Sequence, residues 1–186
     1  MLSKNTAYPR IQKSHRVRRV PLSTSFRNTA SGEYTIIKDG IKRKINAEVE
    51  SIPTGFSVTL HERNSKEIAN FEVEMIAGIN QSFHRIVMPN YRGYNLGKLL
   101  FRLAEQEAKN RGAKKLEVIT KRQDALTTAL AVGYTIPPEE IHKLKTILGI
   151  AQTNPLPPRK ELISNLKNKN YPNFLTIRVE RKFDLN

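Results

Sequence analysis

Short apolar runs that alternate with polar residues fill the chain from residue 33 to residue 88. Alternation with a period of two, interrupted by turn residues, predicts β-strands joined by tight connections. The dipeptide Asp39-Gly40 suits a two-residue hairpin, because both residues tolerate a positive φ. We therefore predict two strands within residues 33–50, a third at 55–63, a fourth at 67–76 and a fifth at 83–88, the last one ended by Pro89.

The period then changes. Leucines and an alanine recur at helical spacing from Leu96 to Asn110, with charged residues between them, and Gly112 supplies a stop signal. Residues 114–120 predict a sixth strand, and a second helix is expected from Gln123 to Val132. A strand, a helix and another strand in this order form a crossover, which implies a parallel strand pair.

The remainder of the chain alternates between helices and breaks. Pro137-Pro138 followed by two glutamates is typical of a helix start, because proline suits the first turn and acids suit the positive end of the helix dipole. A further short helix is expected at 159–168 and a last strand at 174–183. The fold class is therefore mixed α/β: the sheet is antiparallel in its first half, contains one parallel pair, and has a helical insertion at 137–173 before its last strand.

A chain of 186 residues is about the size of one domain. We expect a basic amino-terminal arm over residues 1–32, which hold seven basic residues and no acid, and a single domain over residues 33–186. The arm is interpreted as a solvated or loosely docked extension. Its cluster His15 to Arg19 could instead follow a phosphate backbone, and its composition has some likeness to a transit peptide.

The 32 lysines and arginines exceed the 17 acids by fifteen, so the protein attracts polyanions such as phosphate cofactors or RNA. With no cysteine and four scattered histidines, we expect neither a disulfide framework nor a metal site. No apolar run approaches the roughly 20 residues that span a bilayer, and no secretory signal is evident. The expectation is a cytoplasmic protein without a membrane partner.

The loop between the fifth strand and the first helix has the chemistry of an anion site. A proline, an arginine and two glycines open directly into a helix, whose first amides lack internal partners at the positive end of the dipole. Glycine lets a backbone approach phosphate closely, and Asn95 tolerates the left-handed region that glycine often occupies.

Residues 87–100, VMPNYRGYNLGKLL, resemble the acetyl-CoA-binding signature of the GNAT superfamily of N-acetyltransferases. In its R/Q-x-x-G-x-G/A core, Arg92 takes the first position, Asn95 replaces the first glycine and Gly97 is the second. The likeness covers residues 34–135, with 174–183 as the last strand, and leaves the arm and the insertion unexplained. It implies a GNAT-like fold and acetyl-CoA as co-substrate.

The resemblance also implies the cofactor contacts. The diphosphate would bind the loop amides, and the pantetheine arm would run along the fifth strand, where an N–H of Val87 or Met88 would polarise the thioester carbonyl. The implied cofactor-binding residues are Ile86, Val87, Met88, Arg92, Gly93, Tyr94, Asn95, Leu96, Gly97 and Lys98.

The chain departs from the family where the acid should stand. Many members carry a tyrosine at the position of Ala129, where it protonates the departing thiolate, and Tyr134 is the nearest substitute in sequence. A frequent asparagine is replaced by Arg122, which we interpret as an exposed residue at a helix end or, alternatively, as a phosphate ligand.

Three residues are candidates for the base that deprotonates the acceptor. Glu72 and Glu74 lie two apart on a strand and so point the same way, although an exposed strand face also carries glutamate for solubility. His84 has a suitable ordinary pKa but could be a plain sheet residue. Histone-type members have a glutamate that aligns with Gln81, so that carboxylate is not carried over.

Two functions remain open. The first is acetyl transfer from acetyl-CoA to a primary amine by direct attack in a ternary complex, with the acceptor on an anionic carrier such as aminoacyl-tRNA or on a protein. The second is a non-catalytic, basic GNAT-fold module that binds nucleic acid or protein, including as a toxin or effector. The insertion could serve self-association as a homodimer, or it could simply cover a sheet edge.

Overall fold

The computed structural model describes residues 31–76, 79–87, 89–91, 93–171 and 175–183, with side chains except those of 75–76, 79–87 and 89. The basic arm lies outside these residues up to position 30, so its role stays a prediction. The described part holds seven strands and four helices. They are β1 (Gly32–Lys38), β2 (Ile41–Ile52), β3 (Gly55–Glu62), β4 (Glu67–Ile76), β5 (Ile79–Val87), α1 (Leu96–Asn110), β6 (Lys115–Thr120), α2 (Gln123–Val132), α3 (Pro138–Leu148), α4 (Arg159–Asn168) and β7 (Ile177–Lys182), with a short 3-10 turn at Pro89–Tyr91.

The strands form one sheet in chain order from β1 to β7. Pairs from β1 to β5 are antiparallel, β5 and β6 are parallel, and β6 and β7 are antiparallel. The predicted mixed sheet is therefore confirmed. The predicted hairpin is also present, with φ of 51° at Asp39 and 79° at Gly40.

The core lies between the sheet and α1. Period-two alternation buries Phe71 and Val73 of β4 on the helix side, and the apolar stripe of α1 packs against them. The rings of Phe71 and Phe101 meet edge to face, with centroids 5.0 Å apart. This packing fixes where the amino end of α1 sits relative to β4 and β5.

Strand β5 begins earlier than the sequence predicts, at Ile79 rather than at residue 83. Asn80 and Ser82 have low strand propensity, but both pair with β4 and with β6, so tertiary pairing outweighs local preference. The β4–β5 register shifts between Glu72 and Val73, where a β-bulge leaves one residue of β5 without a register partner.

The predicted insertion folds as helices α3 and α4, in the positions that the sequence indicates. Helix α3 contacts β7, and α4 packs on α2 through the buried Leu162 and Leu166. The side-chain amide of Gln123 donates to the carbonyls of Leu166 and Lys169, and so ties the first turn of α2 to the end of α4.

The described helices are α1 to α4. None of them combines the length and the apolar character that a membrane-spanning helix needs.

Candidate active site

The loop before α1 holds two residues with positive φ. Gly93 has φ of 90°, and Asn95, the residue that precedes the helix, is left-handed with φ 60° and ψ 22°. The carbonyl of Asn95 accepts from the amides of Lys98 at 3.0 Å and Leu99 at 3.2 Å. The amide of Tyr94 donates to the carbonyl of Tyr91 at 3.4 Å. Two of the six amides expected to bind a diphosphate, those of Tyr94 and Lys98, thus have protein acceptors.

The amides of Asn95, Leu96 and Gly97 differ from these two. No group among the described residues accepts a hydrogen bond from them, and no side chain caps the helix. The first turn of α1 also lacks an acidic residue. Because unpartnered amides at a helix start lie at the positive end of the dipole, this end of α1 offers three donors to an anion.

The loop is held against the β1–β2 hairpin by a cluster that we call the tyrosine clamp, formed by Arg43, Glu62, Tyr91 and Tyr94. The guanidinium of Arg43 lies 5.5 Å from the ring centroid of Tyr91 and 5.7 Å from that of Tyr94. It also pairs with Glu62 at 3.6 Å, and the hydroxyl of Tyr91 donates to the same carboxylate. Both tyrosines are buried, so the loop is fixed from outside the helix.

Next to the loop, β5 and β6 separate. Their parallel pairing includes Asn80, Gln81 and Ser82 and ends there, while β5 continues to Val87 and β6 continues to Thr120. Within the described strands, the second half of β5 pairs with β4 alone. Its backbone groups on the β6 side therefore face an opening that an extended chain could enter.

Several predicted cofactor contacts cannot be placed in full. Met88 and Arg92 lie outside the described residues, and of Ile86 and Val87 only the backbone is described. The two backbones do lie in the part of β5 beyond its pairing with β6.

The candidate bases lie near the opening. Glu72 and Glu74 are half-buried on the sheet face opposite Phe71 and Val73. Glu72 is the register partner of His84, just before the bulge, whereas Glu74 is the partner of Gln81. The structure therefore brings Glu72 and His84 to adjacent positions where β5 has left β6.

Tyr134 lies elsewhere. It is fully buried, with its ring 5.3 Å from that of Phe101. Burial, with the nearby Glu105 carboxylate, raises the pKa of Tyr134 well above its usual value. The hydroxyl and a Glu105 oxygen are buried without reaching hydrogen-bond geometry. The structure thus places Tyr134 beside the middle of α1 and does not bring it to the loop.

The structure also shows the surroundings of Ala129 and Arg122, the two residues that depart from the family pattern. Ala129 is fully buried, and its carbonyl accepts from the amide of Tyr134. Arg122 is exposed at the start of α2 and forms two hydrogen bonds with Asp124, at 3.1 and 2.9 Å. This is the arrangement expected of a helix-end arginine.

One buried carboxylate was missed by the sequence interpretation. Glu117 of β6 is 1% exposed, contacts Lys115 at 2.7 Å and lies 3.8 Å from Arg178. It is the register partner of Gln81, so a carboxylate stands one strand away from the position that glutamate holds in histone-type members. An acid inside the apolar run KLEVIT was the available signal. Glu117 is thus engaged in ion pairs with two cations.

Among the described residues, no group of three or more His, Cys, Asp or Glu side chains is arranged to hold a metal ion.

Residues 84–133 match the sequence model described as "Acetyltransferase (GNAT) family". The match makes this segment, about a quarter of the chain, similar to the GNAT family. The GNAT segment runs from β5 through the loop and α1 to the end of α2, and it confirms the resemblance drawn from residues 87–100. A search of curated proteins finds no match for the chain.

Solved structures of similar fold include three acetyltransferases. The IAA acetyltransferase from Bacillus cereus is 16% identical, with 75% of this chain and 99% of that chain covered and a TM-score of 0.49. PaiA N-acetyltransferase from Thermoplasma acidophilum, in complex with coenzyme A, is 16% identical over 68% and 60% of the chains, with a TM-score of 0.42. The ribosomal-protein-S18-alanine N-acetyltransferase from Escherichia coli is 18% identical over 43% and 52%, with a TM-score of 0.39. Likenesses at this level do not indicate a substrate.

Proposed function

We propose that the protein transfers an acetyl group from acetyl-CoA to a primary amine by direct attack in a ternary complex. One observation carries the proposal. Within a segment that matches an acetyltransferase family, three backbone amides at the start of α1 have no acceptor among the described residues. A diphosphate fits such donors, because it brings charge and acceptors to the positive end of the helix.

The opening beside β5 supplies the second part of the site. In the proposal, the pantetheine arm lies along the second half of β5, and a backbone N–H at Val87 or Met88 donates to the thioester carbonyl. Such a donor stabilises the oxyanion that forms when the amine attacks, and losing one typically costs about 3 to 4 kcal/mol of activation free energy.

Proton transfer needs a base on the acceptor side. We assign this role to Glu72, with His84 beside it, because their register position lies where β5 leaves β6. Glu74 is the alternative, one step further along the same face. The base accepts a proton from the attacking amine, directly or through water, and the carbon–sulfur bond then breaks.

The thiolate does not require Tyr134 as its acid. A thiol with a pKa of about 8.5 leaves tolerably as its anion. The full burial of Tyr134 agrees with a mechanism in which solvent protonates the product CoA.

The acceptor that we favour is an amine on an anionic carrier. A groove of about 660 Å³ lies between the first turn of α2 and the end of α4, beyond the last residue of β6. Arg122, Lys167 and Lys169 line it, against a single acid, Asp124. An α-amine with a pKa of about 8 also needs less help from a base than a lysine amine does.

The same groove supports the second candidate, a binding module without catalysis. Its cations would then hold a polyanion such as RNA, with an affinity that falls steeply as salt is raised. Binding that stays unchanged between 50 and 200 mM salt would contradict this role.

Thermal unfolding with and without acetyl-CoA tests the main proposal. At about 100 times its dissociation constant the ligand should add about 2.7 kcal/mol to the free energy of unfolding. A thiol-release assay with a panel of amines then measures transfer. An unchanged melting temperature in millimolar acetyl-CoA would exclude the enzyme.

A further inference from the structure

We propose that the β1–β2 hairpin forms a second wall of the cofactor site, and that Lys38 contacts the diphosphate of CoA together with the amides of α1. The inference rests on the proposed function. It adds a specificity-determining residue that lies outside the segment matched by the family model.

The position of Lys38 is the first observation. It is the last residue of β1, just before the turn at Asp39 and Gly40, and its side chain lies across Gly93 of the loop. A Cβ atom added to Gly93 would lie 3.2 Å from Cε and 3.4 Å from Nζ of Lys38. The ammonium is also 5.5 Å from the ring centroid of Tyr94. The ammonium group of Lys38 thus lies against the loop that precedes α1.

The hairpin is fixed in this position. Arg43 of β2 stacks over Tyr91 and Tyr94, and the carboxylate of Glu62 joins Arg43 to Tyr91. The tyrosine clamp therefore connects the loop to β2 and β3. A lysine carried by such a rigid support can be part of a preformed site, because little side-chain order has to be gained on binding.

The charges around the loop favour an anionic ligand. Lys38 and Lys98 lie near the positive end of the α1 dipole, and the first turn of α1 contains no acid. Glu62, the acid of the tyrosine clamp, already accepts from Tyr91 and pairs with Arg43. A lysine binds phosphate well as a compact point charge, so both lysines suit a diphosphate placed on the amides.

The diphosphate fits better than the 3′-phosphate of CoA. Gly93, which Lys38 covers, lies two residues before Asn95, where the run of available amides begins. The ammonium therefore lies beside a loop residue two positions from the first of these amides, a spacing that would suit two adjacent phosphates. The opposite face of the hairpin carries the exposed Lys42, which is the register partner of Ile37.

Calorimetric titration of CoA into matched variants tests the inference. Lys38→Ala should weaken CoA binding about tenfold, the loss of one charge-assisted contact, while Lys42→Ala, with the same change in net charge on the same hairpin, should stay within about twofold of the wild type. Lys38→Arg should recover most of the loss. Dephospho-CoA, which lacks the 3′-phosphate, should show the same loss with Lys38→Ala.

The outcomes separate the two proposals. If the wild type binds CoA and Lys38→Ala binds it equally well, or if Lys42→Ala loses as much, the hairpin site is wrong and the proposed function stands. A loss seen with CoA but absent with dephospho-CoA would overturn the assignment to the diphosphate. If the wild type binds neither ligand, both proposals fail. Circular dichroism and melting temperatures confirm that each variant is folded.

Discussion

The starts of helices α1 and α3 differ in whether the protein's own acids lie at the positive end of the helix dipole. Helix α3 has Pro138 in its first turn with Glu139 and Glu140, and Glu140 accepts from the Arg178 amide at 3.3 Å and from Lys143 at 3.0 Å. Helix α1 begins after a left-handed Asn95, with no acid in its first turn and no side-chain cap. The protein fills the positive end of α3 with its own carboxylates, whereas no described side chain fills that of α1.

This difference has a stability cost. An acid in the first turn is worth about 0.3 to 1 kcal/mol, and the start of α1 has no such acid. The start of α3 stabilises the fold, whereas that of α1 gives up part of this stability. An unfilled helix start therefore indicates function more directly than the helix itself does.

The largest expected effect is on stability, and it comes from the packed side of α1 and not from the start of this helix. Tyr134→Ala should reduce the free energy of unfolding by about 3 to 5 kcal/mol, because it empties a fully buried aromatic site beside Phe101. Tyr134→Phe should fold with nearly unchanged stability and keep its turnover, since the hydroxyl finds no hydrogen-bond partner among the described residues. Denaturant unfolding and kcat measure both. A large fall in kcat for a stable Tyr134→Phe would return this residue to the site.

The next largest effect is expected when the start of α1 is given an acid, as the start of α3 has. Lys98→Glu places an acid in the first turn of α1, so it should weaken CoA binding roughly thirtyfold by reversing a charge near the diphosphate. The same variant should gain about 0.3 to 1 kcal/mol of stability without ligand. Calorimetry and thermal melting check the two signs. An unchanged CoA affinity would mean that the amides of α1 do not hold the diphosphate.

The reverse experiment at α3 is its control. Glu140→Ala removes a buried carboxylate that serves the Arg178 amide and Lys143, and should cost about 1 to 2 kcal/mol of stability with CoA affinity unchanged. Urea unfolding and calorimetry measure the two quantities. If CoA affinity fell together with stability, the two helix starts would not be independent.

The smallest effect concerns pH. Burial raises the pKa of the Glu105 carboxyl above its ordinary 4.5, although Arg181, Lys109 and Arg102 oppose the shift. The folded protein then holds this proton more tightly than the unfolded chain, so stability is lost as pH rises through the folded pKa. Glu105→Gln should melt higher than the wild type at pH 7, and the difference should shrink near pH 4. A constant difference across this range would contradict the assignment.

Local patterns in the sequence predicted much of the fold and part of the site. The helical period gave α1 its limits, Asp39-Gly40 marked the hairpin, and alternation put Glu72 and Glu74 on the face opposite Phe71. These features depend on neighbours within a few residues of each other. The early start of β5 was missed, because its polar first residues gain their strand from partners on β4 and β6.

By itself, the sequence determined the order of strands and helices, the loop with Gly93 and Asn95, and the resemblance of the segment that contains it to the GNAT family. Only the tertiary structure decided that Lys38 lies over Gly93, that the tyrosine clamp holds the loop, and that Tyr134 is enclosed by α1. The physical reason is the separation along the chain between the residues that interact. Turn and helix preferences act between residues close in the chain, whereas these contacts join residues more than twenty-five positions apart and form only when the sheet and α1 pack.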